Sequence, residues 1–154
     1  MIYLLQYGEA LAQEADPNRP LTDTGAEQVD DVGMFLARAT VSVSTIFHSG
    51  KLRAEQSADI LAEHLTPERP PEPMDDIGAT DPTDNIASEL DQWSEGVMLV
   101  SHMPFVGRLA GRLVVGDEHR PPVAFVPGTV VALERAGDDA WVVGWMIRPE
   151  LVRP

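Results

Sequence analysis

The sequence contains no cysteine, and this absence removes several kinds of chemistry at once. Disulfides, thiol nucleophiles and metal sites built on thiolates all require that residue. Cations are also scarce: 11 Lys and Arg stand against 25 Asp and Glu, which gives a formal net charge of −14. Such a charge repels nucleic-acid backbones and anionic lipid surfaces, so we expect neither nucleic acid nor membrane as a partner. An anionic ligand can bind only where a few cations are focused locally.

No long apolar segment opens the chain. The first five residues are apolar, but Gln6 and Glu9 follow closely and no basic residue precedes them. This start lacks the features of a signal peptide or a membrane span, so we expect a cytoplasmic protein. With 44% hydrophobic and 23% charged residues, the composition is that of a globular protein, and residues 1–154 are expected to form a single domain. No feature of the sequence indicates an oligomeric state.

Apolar runs and turn signals predict the strands. Residues 2–5, 41–47 and 97–100 are short apolar or β-branched runs, and the last is typical of a strand buried on both faces. Residues 129–133 and 141–147 flank a Gly-Asp-Asp turn and predict a C-terminal hairpin. A proline-rich acidic stretch at residues 66–82 is expected to be an exposed connection.

Helical periodicity predicts the intervening elements. Thr22 and Thr24 are both candidate N-caps, and Thr24 with Glu27 has the spacing of a capping box before a helix that runs to about Ala39. Ser49 is a candidate cap for a second helix, on which four apolar residues share one face: Ala54, Ala58, Leu61 and Leu65. Further helices are predicted at residues 83–93 and after Pro104. Strands alternating with helices indicate a three-layer α/β/α domain with a mostly parallel central sheet.

Polar residues follow three of the predicted strands. They are the segments at residues 6–9 (QYGE), 48–49 (HS) and 101–102 (SH). In open α/β sheets, ligands bind outside the carboxyl ends of the strands. We therefore expect these three segments to meet at one edge of the sheet and to form the functional site.

The same segments carry a family resemblance. Residues 6–10 (QYGEA) with 19–25 (RPLTDTG), residues 48–56 (HSGKLRAEQ) and residues 99–107 (LVSHMPFVG) resemble, in order and spacing, three blocks of the SixA-type phosphohistidine phosphatases. These belong to the histidine phosphatase superfamily, whose fold is phosphoglycerate mutase-like. The resemblance spans residues 1 to about 115. It implies a histidine phosphatase fold, a phosphate or a phosphorylated protein as partner, and no cofactor.

The resemblance also implies roles for individual residues. In the family the first block contains Arg-His-Gly, with the arginine as phosphate clamp and the histidine as nucleophile, and here these positions hold Gln6, Tyr7 and Gly8. Arg53 matches the arginine that contacts phosphate, and His102 matches the second histidine. The implied phosphate-binding set is Gln6, Gly8, Arg53 and His102, and the implied catalytic positions are Tyr7 and His102. Glu9 is a candidate acid or base.

The two replacements change the expected chemistry. Phosphoryl transfer needs a nucleophile with an available lone pair and cations that gather the charge of the equatorial oxygens. A neutral imidazole supplies a lone pair at pH 7, whereas a phenol is almost wholly protonated there. An amide carries no charge and does not replace a bidentate guanidinium. We therefore predict a catalytically impaired pocket, that is, a pseudoenzyme.

Several alternatives stay open at this stage. Arg53 could be a solvent-exposed arginine paired with Glu55 or another neighbour, and His102 could be a structural histidine. His48 lies one place off any catalytic position of the family, so a structural or gating role is favoured over a replacement nucleophile. No His-x-x-x-His pair is present, so no metal site is predicted. Three functions remain: a binding module that recognises phosphate or a phosphoprotein, an active phosphohistidine phosphatase with an atypical site, and an interaction protein with a vestigial pocket.

Overall fold

The computed structural model describes residues 1–153, which fold around one six-stranded sheet. In chain order the elements are β1 (Ile2–Gln6), α1 (Asp23–Arg38), β2 (Thr45–His48), α2 (Leu52–Leu65), β3 (Glu72–Pro73), α3 (Asp84–Glu89), β4 (Val97–Ser101), α4 (Phe105–Val114), β5 (Val130–Arg135), β6 (Trp141–Ile147) and α5 (Pro149–Val152). A 3₁₀ turn at Leu90–Gln92 follows α3. Among residues 1–153, no helix is both long and apolar enough to cross a bilayer.

The sheet has the order β3-β2-β4-β1-β5-β6. The pairings β3 with β2, β2 with β4, and β4 with β1 are parallel, and the pairings β1 with β5 and β5 with β6 are antiparallel. The predicted mostly parallel sheet with a C-terminal hairpin is therefore confirmed. All five residues of β1 and of β4 are buried, because both strands lie in the interior of the sheet with helices on each face.

Alternate side chains of the central strands fill two apolar layers. Tyr3 and Leu5 of β1 face the layer that contains the apolar sides of α1 and α2. Ile2 and Leu4 face the opposite layer, into which α4 places Phe105 and other apolar side chains. This alternation follows from the two-residue period of a strand. Helices on both faces make the domain three-layered, as the sequence predicts.

Two local predictions are wrong at element boundaries. The N-cap of α1 is Thr22, whose Oγ1 accepts a hydrogen bond from the Gly25 N–H at 2.9 Å, so Thr24 and Glu27 form no capping box at the start of this helix. Strand β2 begins at Thr45 and not at residue 41. The Val41 N–H bonds the Leu36 carbonyl and closes the end of α1, so this stretch belongs to a turn in spite of its β-branched residues.

The proline-rich connection is exposed over most of its length, as predicted, but it is tied to the sheet at two points. Its residues Glu72–Pro73 form β3 beside β2. The side chain of Ile77 is fully buried, and the Ser101 hydroxyl donates a hydrogen bond to the Ile77 carbonyl. The connection therefore lies beside the carboxyl ends of β2 and β4.

Candidate functional site

The three predicted strand ends meet at one edge of the sheet. Gln6, the last residue of β1, pairs in register with Ser101, the last residue of β4. His48, the last residue of β2, pairs with Val100 on the other side of β4. Because these strands are parallel and adjacent, the residues that follow them emerge together.

Gln6 is buried, with 9% of its surface exposed. Its backbone is held by hydrogen bonds with residues 128 and 129, which precede β5. Its Oε1 atom is buried and has no hydrogen-bond partner among residues 1–153. An unpaired buried acceptor is destabilising, so a group that donates a hydrogen bond to this oxygen would be favoured here.

The Tyr7 ring contacts both Arg53 and His102. The Arg53 guanidinium lies over the ring, with its Cζ 4.9 Å from the ring centroid. The His102 ring meets it edge to face, with centroids 4.9 Å apart and planes at 61°. These are the geometries of a cation–π contact and a favourable aromatic pair. The predicted meeting of Tyr7, Arg53 and His102 is confirmed by these contacts, whereas their roles stay predictions.

His102 is buried and bonded on both ring nitrogens. Its Nε2 lies 2.5 Å from the Ser49 hydroxyl, and its Nδ1 lies 3.4 Å from Arg53 Nη2. A guanidinium can only donate, so Nδ1 carries the lone pair and Nε2–H donates to Ser49 Oγ. Ser49 therefore orients His102 and is not the cap of α2, whose N-cap is Lys51 without a side-chain bond.

The pKa of His102 is lowered from 6.5 to about 4. Burial is the largest cause, and the positive charges of Arg53, Lys51 and Arg19 lower it further. The imidazole is therefore neutral at pH 7. The charges of all three cations therefore disfavour the protonated form of the His102 ring.

Arg53 lies in the first turn of α2 and is half-buried. It forms no ion pair within residues 1–153, so the alternative in which it pairs with Glu55 is wrong. Its Nε is buried and has no hydrogen-bond partner in the same range. A guanidinium with an unneutralised charge and an unused donor is suited to bind an anion.

Gly8 and Glu9 connect the strand end to α1 and α2. The Gly8 N–H donates to Ser57 Oγ at 3.0 Å, and a Cβ on Gly8 would lie 2.7 Å from Val29 Cγ2. Gly8 therefore permits close packing, and its N–H is already engaged within the protein. The exposed Glu9 accepts a hydrogen bond from Thr22 Oγ1 at 2.8 Å. Its role as acid or base stays a prediction.

His48 has a structural environment. Its Nδ1 accepts a hydrogen bond from the Gly50 N–H at 3.1 Å, and its side chain is buried at the end of β2. Burial lowers its pKa, and nearby Glu55 and Asp59 partly oppose this effect. Its bond to Gly50 supports the turn between β2 and α2, in agreement with the favoured structural role.

Two cations beside the site, Arg19 and Lys51, had no role assigned from the sequence. With Arg53 they line a cavity of about 440 Å³, which we call the basic cavity, and Gln13 and Asn18 contribute to its wall. Both cations lie inside the motif blocks at residues 19–25 and 48–56, which is the signal in the sequence. Their proximity depends on the path of the loop before α1, which periodicity does not reveal.

Comparison with known proteins agrees with this geometry. The family described as histidine phosphatase superfamily (branch 1) matches residues 2–78, half of the chain. Phosphohistidine phosphatase SixA of Escherichia coli (strain K12) is 26% identical over 157 residues, covering 96% of this chain and 93% of that protein.

Solved structures show the same fold. The protein histidine phosphatase SixA complexed with tungstate superposes with a TM-score of 0.87 at 21% identity, covering 99% of both chains. A mycobacterial glucosyl-3-phosphoglycerate phosphatase superposes with a TM-score of 0.71 at 12% identity, covering 93% of this chain and 96% of that one. The six-stranded sheet, the three blocks at its carboxyl edge and the matched residues 2–78 lead to one conclusion: the chain belongs to the histidine phosphatase superfamily, in its SixA-type branch.

Proposed function

We propose that this protein binds the phosphoryl group of phosphate or of a phosphorylated protein beside Arg53 and His102 without hydrolysing it efficiently. The observation that carries the proposal is the Tyr7 ring, which stands at the nucleophile position of the family and contacts both residues. The ring packs its face and edge against them, and it offers no neutral nitrogen for in-line attack. This arrangement supports binding without turnover.

The binding half of the proposal rests on Arg53 and His102. Arg53 has no carboxylate partner among the described residues, and its Nε has no hydrogen-bond partner there. The His102 ring is neutral in the free protein because burial and nearby cations lower its pKa to about 4. An anion placed beside it offsets those cations and favours the protonated ring, which then donates from both nitrogens.

The loss of turnover rests on Gln6 as well as on Tyr7. A phosphoryl group in transfer is stabilised by cations on its equatorial oxygens. Gln6 supplies no charge, because its side chain is a neutral amide. The site therefore has one retained guanidinium where the family has two.

One observation favours a second candidate, an active phosphohistidine phosphatase with an atypical site. The match with the Escherichia coli relative covers 93% of that protein, which is named a phosphohistidine phosphatase. Phosphohistidine has an activated P–N bond, which lowers the demand on the nucleophile. Turnover of a phosphohistidine peptide, lost on Tyr7→Phe, would support this candidate. The third hypothesis, a vestigial pocket, is supported if no phosphate analogue binds.

Titration calorimetry with phosphate and vanadate tests the proposal. We expect binding that weakens as salt rises from 50 to 500 mM, because salt screens charge pairs. Arg53→Ala should weaken it about tenfold or more, since a hydrogen bond to a charged group contributes about 1.5–3 kcal/mol. Arg38→Ala is the matched control, because Arg38 is exposed at the far end of α1 and also lacks an ion pair within residues 1–153.

Two results would contradict the proposal. Equal affinities for the wild type and Arg53→Ala would remove the site from consideration. Efficient hydrolysis of a phosphohistidine peptide by the wild type would replace the binding module with the active phosphatase.

A further inference from the structure

The basic cavity is an exception on this acidic surface. Its wall contains Arg19, Lys51 and Arg53 and no aspartate or glutamate. The chain as a whole has 25 acidic residues and 11 Lys and Arg. Three cations without an acidic neighbour in the same wall produce a local positive field, which is the condition for anion binding on a protein of net charge −14.

Most other cations are neutralised within the protein, although Arg38, Arg120 and Arg153 form no ion pair within residues 1–153. Five other arginines form ion pairs with carboxylates: Arg69, Arg108, Arg112, Arg135 and Arg148. Within residues 1–153, none of the three cations of the basic cavity forms such a pair. Their charge is therefore available to an external anion.

The loop before α1 holds Arg19 in an unusual conformation. Its φ is +48°, a left-handed value that is uncommon for a residue other than glycine. Its Nε donates to the Leu11 carbonyl at 3.0 Å, and its backbone N–H bonds the Asp16 carbonyl at 3.0 Å. These bonds leave its two terminal nitrogens without a partner among residues 1–153. The loop therefore presents a positioned guanidinium to the cavity.

Arg53 joins the basic cavity to the Tyr7 and His102 contacts. Its guanidinium packs on Tyr7 and reaches His102, and the same residue lines the basic cavity. A phosphoryl group beside His102 and a second anionic group in the cavity would share this guanidinium. Two groups that share one guanidinium lie close together, as the two phosphoryl groups of a diphosphate do.

We propose that the basic cavity binds a second phosphoryl group, so that the ligand is a small molecule that carries a diphosphate. The inference deepens the proposed function and rests on it. A volume of about 440 Å³ lies within the range of about 300–1,000 Å³ that small-molecule sites occupy, and it is larger than one phosphate requires.

The surroundings favour a small molecule over an acidic protein segment. The proline-rich connection runs beside the same edge, where the Met74 N–H bonds the His48 carbonyl at 2.8 Å, and Asp75 and Asp76 are exposed next to it. A phosphorylated protein with an acidic surface would be repelled by these carboxylates when it covers the site. Neither carboxylate lines the basic cavity, so a diphosphate bound there is not in contact with them.

The test compares inorganic phosphate, pyrophosphate and ADP by titration calorimetry at constant ionic strength. We expect pyrophosphate to bind the wild type about tenfold more tightly than phosphate, which is the product of roughly threefold for each of the half-buried Arg19 and the exposed Lys51. ADP should share this preference if the diphosphate is recognised as part of a nucleotide, and only pyrophosphate should show it if the site excludes a nucleoside.

The decisive variants are Lys51→Ala and Arg19→Gln. Lys51 makes no side-chain cap bond, so its removal should leave α2 intact and should lower the ratio of pyrophosphate to phosphate affinity about threefold. Arg19→Gln should act in the same direction, and a circular-dichroism melt checks that the loop still folds. Arg38→Ala should leave the ratio unchanged.

The outcomes separate this inference from the proposed function. Phosphate binding that depends on Arg53, without any preference for pyrophosphate, would overturn the inference and leave the proposed function standing. Pyrophosphate binding that depends on Lys51, with no effect of His102→Gln, would support the cavity and overturn binding beside His102. A phosphohistidine peptide that binds more tightly than pyrophosphate, in a manner dependent on Lys51, would overturn the small-molecule assignment in favour of a protein ligand.

Discussion

Protonation of His102 should couple anion binding to pH. The pKa of His102 is about 4 in the free protein, because burial disfavours the charged ring and Arg53, Lys51 and Arg19 add to this effect. A bound dianion offsets the cations and accepts hydrogen bonds from the protonated ring, so binding should raise the pKa. By linkage, the bound state then takes up a proton more readily, and affinity should increase as pH falls.

The size of the effect follows from the two pKa values. If binding returns the pKa of His102 to its ordinary value of about 6.5, sulfate affinity should rise about eightfold between pH 7 and pH 5.5. Sulfate is the suitable probe because it stays a dianion over this range. In the absence of ligand, a fall in pH weakens folding instead of strengthening binding. His102 binds the proton more tightly in the unfolded chain than in the folded protein, so the free energy of unfolding should fall as pH drops from about 6.5 towards 4.

Nuclear magnetic resonance of the His102 ring measures the shift directly, and calorimetry with sulfate at several pH values measures its consequence. His102→Gln is the control, since it removes the titrating ring and retains a polar side chain. Coupling of sulfate binding to His102 protonation is contradicted if sulfate affinity is the same at pH 7 and 5.5, or if His102→Gln shows the same rise. The second result would assign the effect to the protonation of surface carboxylates.

Two further predictions concern the strand end and its packing. The double variant Gln6→Arg with Tyr7→His should create measurable phosphatase activity and a phosphorylated histidine at position 7. Each single change should give little activity, because catalytic groups that act as a unit are non-additive. A double variant that folds but is inert would contradict this prediction. Gly25→Ala should lower the free energy of unfolding by about 3 kcal/mol, since the added Cβ would collide with the Glu9 carbonyl oxygen. At Gly116 an added Cβ would meet no atom within 4 Å, and only the φ of +80° disfavours a side chain. In the same thermal melts, Gly116→Ala should therefore lower the free energy of unfolding by about 1 kcal/mol. Equal losses for the two variants would show that the collision at Gly25 is relieved.

Local patterns in the sequence were sufficient for most of the fold. Apolar runs of strand length and side chains repeating every three to four residues depend only on neighbours along the chain, so β1, β4, the hairpin and the buried face of α2 could be predicted. Boundaries were less predictable. Val41 has strand propensity, but its N–H is used to end α1, and the choice between Thr22 and Thr24 as cap depends on which backbone N–H the helix leaves free.

The sequence by itself determined the family, and it showed which residues stand where the resemblance implies the nucleophile and the clamp, because ordered motif blocks and single substitutions can be read along the chain. Only the tertiary structure decided how those residues are used. It placed Tyr7 against Arg53, paired Ser49 with His102, and joined Arg19 to Lys51 across a cavity. These contacts join residues separated by more than 30 positions, and they depend on crossover connections and loop paths that leave no periodic signal. The pKa of His102 is likewise a tertiary property, because burial and charges from three separate residues set it together.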